Sequence, residues 1–329
     1  DIVLVKTCGY ISSINAEPQF APAEIEETEE IYVIDSKEKL KKFAQDVTKE
    51  GFTQTKVYFT KDIDMTGETW EPISGYAGEI YGQGFKITGL KAPLFGATQA
   101  TLIDNLHLEN VEIVDNKNFR IGALACELNA ASVEVSNCSV SGTMSIGYAG
   151  TSRMEIGGMI GYAYNTSKET STFSNLKSSI NITSTSKANV QANYAGVASF
   201  PSYGFIKDCQ FTGSITLGKD VEHKEVNLAG IANYTMKGLV GCINGDKNNP
   251  KAGELSSEAT VSGLFFVGGI YSANSKSETV SHAEGINGCI NYAPIHIGGT
   301  MTGTYYAFVG GIAGLMHRVS TQVVNCENH

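Results

Sequence analysis

The residues of this chain that could do chemistry are few, and each pattern stops short of a complete site. Asp62-Ile63-Asp64-Met65-Thr66-Gly67 opens like a calcium-binding loop, in which carboxylates at alternate positions ligate the ion. Ile73 stands at the twelfth position, where a bidentate acid is needed. The stretch therefore reads as a solvated turn, and Asp62 and Asp64 are only weak metal candidates. Gly82-Gln83-Gly84 lacks the third glycine of a dinucleotide loop and reads as a β-turn. His223 with Glu225 and His282 with Glu284 are the closest imidazole and carboxylate pairs; both lie in polar stretches and are expected to be solvated. No Walker loop, GxSxG elbow or HExxH motif occurs, and no cofactor is implied.

Two columns of residues remain. Cys138, Cys209, Cys242, Cys289 and Cys326 share one phase with Leu106 and Leu176. A position filled by either Leu or Cys is an apolar core position. A disulfide staple between neighbours is the rival reading, but stacked side chains project in parallel whereas a disulfide needs converging Cβ atoms. Metal binding is weaker still, because no CxxC pair exists. The second column is aromatic: Tyr162, Phe200 and Tyr234, with Tyr164 and Tyr203 nearby. Facing outward, it would be a flat ladder for stacking on sugar rings or on a partner protein; facing inward, it is core. The inward reading is favoured.

These columns exist because the chain repeats. One phrase is an apolar residue, two small residues and an aliphatic one: Ile121 to Leu124, Ile156 to Met159, Tyr194 to Val197, Leu228 to Ile231, Val267 to Ile270, Val309 to Ile312. The other ends in Leu or Cys at positions 106, 138, 176, 209, 242, 289 and 326, at intervals of 32, 38, 33, 33, 47 and 37 residues. A period in that range marks a repeat architecture. Within each repeat, short runs of Val, Ile, Thr, Tyr and Phe are punctuated by Gly, Asn and Ser, which is strand and turn chemistry. Such a unit buries its apolar side only by stacking on a copy of itself. The expected fold is all-β, a parallel β-solenoid (β-helix) of about seven coils, some 34 Å long at about 4.8 Å per coil.

Asn105, Asn137, Asn175, Asp208 and Asn325, with Gly241 and Gly288, fill the position before the Leu/Cys column and suit a left-handed corner. Gly158, Gly230 and Gly269 mark a second corner where a Cβ would be crowded; Gly245 is expected in an open loop. The 47-residue interval holds the largest insertion, at Asn244 to Glu254 or Ala273 to Ala283. Asp35 to Lys49 is the one expected helix, with Asp35 and Glu38 as its N-terminal pair and Leu40, Phe43, Ala44 and Val47 on one face, stopped by Gly51. It would cap the first coil.

"Val-Gly-Gly-Ile-Ala-Gly" at 309–314 and "Asn-Cys" at 325–326, so spaced, resemble the GLUG-motif repeats of bacterial surface proteins, which also occur beside the immunoglobulin A-cleaving metallopeptidases. The opening helix followed by Val57 to Met65, Trp70 to Ile73 and Tyr81 to Ile87 fits the same pattern. The resemblance covers residues 31 to 329 and implies a right-handed β-helix scaffold. It supplies no catalytic residues. The expected division is 1–30, an N-terminal extension with an acidic linker; 31–100, a cap of helix and first strands; and 101–329, the repeats.

The formal charge of −10 argues against nucleic acid or an anionic membrane as partner. No apolar run reaches the ~18 residues of a membrane span. A start at Asp1 without Met implies a removed export signal. β-Helix lyases and glycosidases need clustered carboxylates, or a base beside bound calcium, yet beyond residue 116 the chain has only Asp208, Asp220 and Asp246 with Arg120, Arg153 and Arg318, well dispersed. The reading is a non-catalytic, exported cell-surface protein, an adhesin-like or spacer rod binding a glycan or protein partner. The alternatives are a carbohydrate-active β-helix enzyme and an accessory domain of a surface peptidase. The last phrase opens a coil that the remaining residues do not cap, so end-to-end self-association is also expected.

Overall fold

The structure, a computed structural model, describes residues 31–47, 49, 54–164, 167–273, 285–303, 306–316 and 322–329. The acidic linker, Gly51, Arg318, the His282 and Glu284 pair and nearly all of the insertion proposed at 273–283 lie outside the described residues. Every strand-to-strand pairing is parallel, and each strand joins the corresponding strand one repeat further along the chain. That is the arrangement a β-solenoid requires, because only a parallel stack lets one repeat cover the next.

Three long sheets carry the body. A ten-stranded sheet runs from Ile31–Ile34 to Val323–Val324, and its central column reads Ile103, Val135, Phe173, Ile206, Leu239, Ile286 and Val323 in register. Val57 and Ile80 extend that column backward, so the sheet begins within the segment assigned to the cap. A twelve-stranded sheet follows each left-handed corner. A six-stranded sheet holds the glycine phrase, aligning Ile121, Ile156, Tyr194, Leu228, Val267 and Val309. After the glycine bend the chain enters a four-stranded sheet, Phe95–Thr98, Ala125–Leu128, Ile160–Ala163 and Ala198–Pro201, which single bridges at Ala232 continue toward Tyr271.

The corner residues adopt the backbone their types predict. Asn105, Asn137, Asn175, Asp208, Gly241, Gly288 and Asn325 have φ of 52, 56, 50, 52, 65, 61 and 52°. Asn pays the smallest strain of any residue with a Cβ there, since its amide bonds locally. Asn175 Nδ2 donates to Asn137 Oδ1 at 2.9 Å, and Asn137 Nδ2 to Asp104 Oδ1 at 2.8 Å, so the corners also tie coil to coil. Just beyond them Leu106, Cys138, Leu176, Cys209, Cys242 and Cys289 are buried, and the thiols are free. Each thiol donates weakly to a carbonyl of the preceding coil, as Cys209 does to Phe173 O at 3.5 Å. Cys326, between the edge strands Val323–Val324 and Glu327–Asn328, is only half-buried.

A further column was not expected. Two residues past the cysteines, Asn244, Asn291 and Asn328 bond side chain to side chain at 2.9 Å, the first two fully buried. They occupy the space beneath Gly230, Gly269 and Gly311, where a Cβ would overlap each amide. A Cβ on Gly158, Gly230 or Gly269 would also strike the carbonyl oxygen of the next glycine in the column. Gly245 is not the open-loop residue expected: its φ is 93° and a Cβ would lie 2.9 Å from Ala293 N. The Asn244 to Glu254 insertion is present, filling a gap that Thr212 and Gly213 span in the preceding coil.

One helix is formed among the described residues, Lys37–Asp46. Ser36 is its N-cap, accepting from Lys39 N, so the cap lies one residue later than the Asp35 and Glu38 pair suggested. Leu40, Phe43 and Val47 are buried, with Phe43 edge-on to Tyr76 at 5.2 Å. Glu68 holds both Lys37 and Lys41.

Candidate functional site

The bend at Gly158-Met159 breaks strand alternation, because Met159 and Ile160 are consecutive and both fully buried. A count of parity from the glycine phrase therefore misplaces the side chains beyond the bend. Tyr162, Phe200 and Tyr234 are half-buried and stand outside the core cluster, which corrects the inward reading. They form a ladder: Tyr162 and Phe200 centroids are 5.1 Å apart, Phe200 and Tyr234 4.5 Å, with planes within 15° and 2°. Phe200 thus has a ring on each side, so a sugar cannot lie on its faces as a flat platform would allow. Tyr203 is buried at 5%, whereas Tyr164 is 40% exposed and tilts against both Tyr162 and Tyr203.

Two of the three arginines that look scattered in sequence meet at this ladder. The Arg120 guanidinium carbon lies 3.7 Å from the Tyr162 ring centre and 5.3 Å from that of Phe119. That of Arg153 lies 4.5 Å from the Phe200 centre. Arg120 Nη1 pairs with Glu127 Oε2 at 2.8 Å, and Arg153 Nε with Glu155 Oε1 at 2.7 Å.

Glu155 is the unusual member, a carboxylate only 1% exposed. Two chains of donors converge on it. Asn227 Nδ2 donates to Asn193 Oδ1 at 2.7 Å, and Asn193 Nδ2 to Glu155 Oε1 at 2.9 Å; Ser199 Oγ donates to Oε2 at 2.9 Å. Burial pushes the Glu155 carboxyl up to about 7, against the opposing pull of Arg153, Asn193, Ser199 and Arg120. The pocket for this network exists because Gly157 and Gly161 let the two sheet faces meet; a Cβ on Gly161 would sit 2.8 Å from Ile121 O. The sequence held one signal for it. Arg120, Glu155, Asn193 and Asn227 occupy a single register column, each one residue before the first residue of the glycine phrase.

The other expected groups fall elsewhere. Asp64 Oδ1 accepts from Thr66 N at 2.9 Å, fastening a local turn, and Asp62 Oδ1 accepts from Lys86 N at 3.1 Å, tying the turn to a residue 24 positions further along the chain. His223 is not solvated: it is 2% exposed, its Nδ1 donates to Ala188 O at 2.7 Å, and its Nε2 faces Tyr194 Oη at 2.9 Å. Because the carbonyl can only accept, the imidazole must donate from Nδ1 and accept from the tyrosine. Burial holds its pKa below the usual value, so it is a neutral, satisfied core histidine.

Fold and site together define a class: an all-β chain of stacked parallel repeats with one helix at its first coils and a polar and aromatic patch beside the glycine bend. A family profile, the M26 IgA1-specific metallo-endopeptidase N-terminal region, matches residues 31–142. A crystal structure described as a "putative immunoglobulin A1 protease" from Bacteroides ovatus superposes with a TM-score of 0.52 at 16% identity, covering 86% of this chain and 83% of that one. At that identity the likeness concerns the fold. No curated protein matches the sequence. Among the described residues no helix is long and apolar enough to cross a membrane.

Proposed function

We propose that this chain is a non-catalytic accessory region of an exported surface peptidase related to the IgA1-specific metallo-endopeptidases, a right-handed β-solenoid of about seven coils that holds a substrate in place for a catalytic part carried elsewhere. The observation that carries the reading is the profile match over residues 31–142, the helix and the first coils. The similarity of fold to the Bacteroides ovatus chain over most of both lengths supports it. A rod of stacked sheets is stiff and offers loops at fixed heights, which is what positioning a large glycoprotein needs. GLUG-like repeats and export to the cell surface, both expected from the sequence, belong to the same reading.

The test compares the parent polypeptide with and without residues 31–329. Intact IgA1 should be cleaved by the full protein and at least tenfold more slowly by the deletion, while a short peptide substrate is cleaved equally by both. The purified chain alone should cleave neither. Cleavage by the chain alone, an unaffected deletion, or a parent with no peptidase segment would overturn the proposal.

A further inference from the structure

We infer that Arg153 and Arg120 form, with the rims of the aromatic ladder, a receiving site for one carboxylated sugar residue of a glycan. This does not depend on the peptidase reading.

Both guanidinium groups are fixed before any ligand arrives. Arg153 is held at Nε by buried Glu155 and lies against Phe200, which leaves its two Nη groups without an acceptor among the described residues while its side chain is 41% exposed. Arg120 is held at Nη1 by Glu127 and lies over Tyr162, and its Nε is buried without a partner. A planar fork whose orientation is already set loses little freedom on pairing with a carboxylate, and the pairing can be bidentate. The rings under the two arginines are neighbours in one stack, 5.1 Å apart, so both forks border the same surface.

Local charge fixes how many anionic groups the surface can take. Glu127 and Glu155 stand behind the two arginines, and the whole chain is at −10. An acidic peptide or a polyanion would meet net repulsion, whereas a single carboxylate on an otherwise neutral body meets two oriented donors. Tyr164 supplies the complementary apolar contact: its ring is 40% exposed and inclined 32° to Tyr162, so it offers a wall for the C–H face of a sugar.

The purified chain would be titrated with glucuronate-, galacturonate- and N-acetylneuraminate-terminated oligosaccharides, their methyl esters, neutral counterparts and a glutamate-rich decapeptide. At least one acid sugar should bind tenfold or more tightly than its own ester. Arg153→Lys keeps the charge but cannot both hold Glu155 and present a fork, so it should weaken binding about tenfold with a melting temperature close to the parent; Arg153→Ala should abolish binding and also lower stability near neutral pH, because Glu155 loses its cation. Equal binding of acid and ester, tighter binding of the peptide, unaffected arginine variants, or no binding of any acid sugar at millimolar concentration would overturn the inference.

Discussion

Replacing Glu155 by Gln tests whether the buried carboxylate under the ladder is a net burden at neutral pH. Gln can keep its oxygen where Oε1 meets Arg153 Nε and Asn193 Nδ2, and turn its amide toward Ser199 Oγ, so the packing is conserved. Burial raises the Glu155 pKa from 4.5 to about 7 in the folded protein. The folded state therefore holds a proton that the unfolded state has already released between those values, and stability falls as pH rises through that window. A shift of that size corresponds to roughly 3 kcal/mol, and with the side chain almost wholly buried no discount for solvent screening applies. Thermal or denaturant unfolding of both proteins from pH 4 to pH 8.5 reads the difference, in which all other groups cancel. The two should agree near pH 4, and the Gln variant should gain about 3 kcal/mol, or about 6 °C in Tm, by pH 8. If the variant is instead less stable at pH 8, Arg153 and the amide donors outweigh desolvation and the reasoning fails.

Gly230→Ala and Gly269→Ala should each cost about 3 kcal/mol, because the new Cβ meets a backbone oxygen and a buried Asn amide; Gly218→Ala, with its nearest neighbour at 3.6 Å, should change unfolding by less than about 0.5 kcal/mol. At the left-handed corner, Asn137→Ala should lose about 1–2 kcal/mol in denaturant midpoint measurements and Asn137→Gly clearly less, as Gly241 and Gly288 already show in the same column. Maleimide labelling followed by mass spectrometry should, among the described cysteines, modify Cys326 first and leave Cys138, Cys209, Cys242 and Cys289 untouched in the native protein; burial pushes Cys138 up to about 12. Val309, Val323 and Val324 are exposed on edge strands, so the isolated chain should associate with rising concentration in sedimentation runs, and Val323→Glu should suppress this.

Spacing along the chain was enough to align the strands. Ile103 to Val323 and Ile121 to Val309 stack in the register that counting residues between phrases gives, because a parallel repeat has only one alignment that buries every apolar position at once. The left-handed corners were legible as well, since Asn and Gly are the residues that tolerate positive φ. The Asn244, Asn291 and Asn328 ladder, buried at its first two members, was written in the thrice-repeated Cys-x-Asn phrase, yet polar residues in that position look like turn residues until the facing glycines are known. The candidate site was least legible. Arg120 lies one repeat before Arg153 and Glu155, and the aromatic column lies past a bend where two successive residues belong to the core, so neither charge density nor alternation reveals the site. Sequence by itself determined what stacks on what, through periodicity; only the tertiary structure decided which way the aromatic column faces, because Met159 and Ile160 both enter the core and break the alternation just before it.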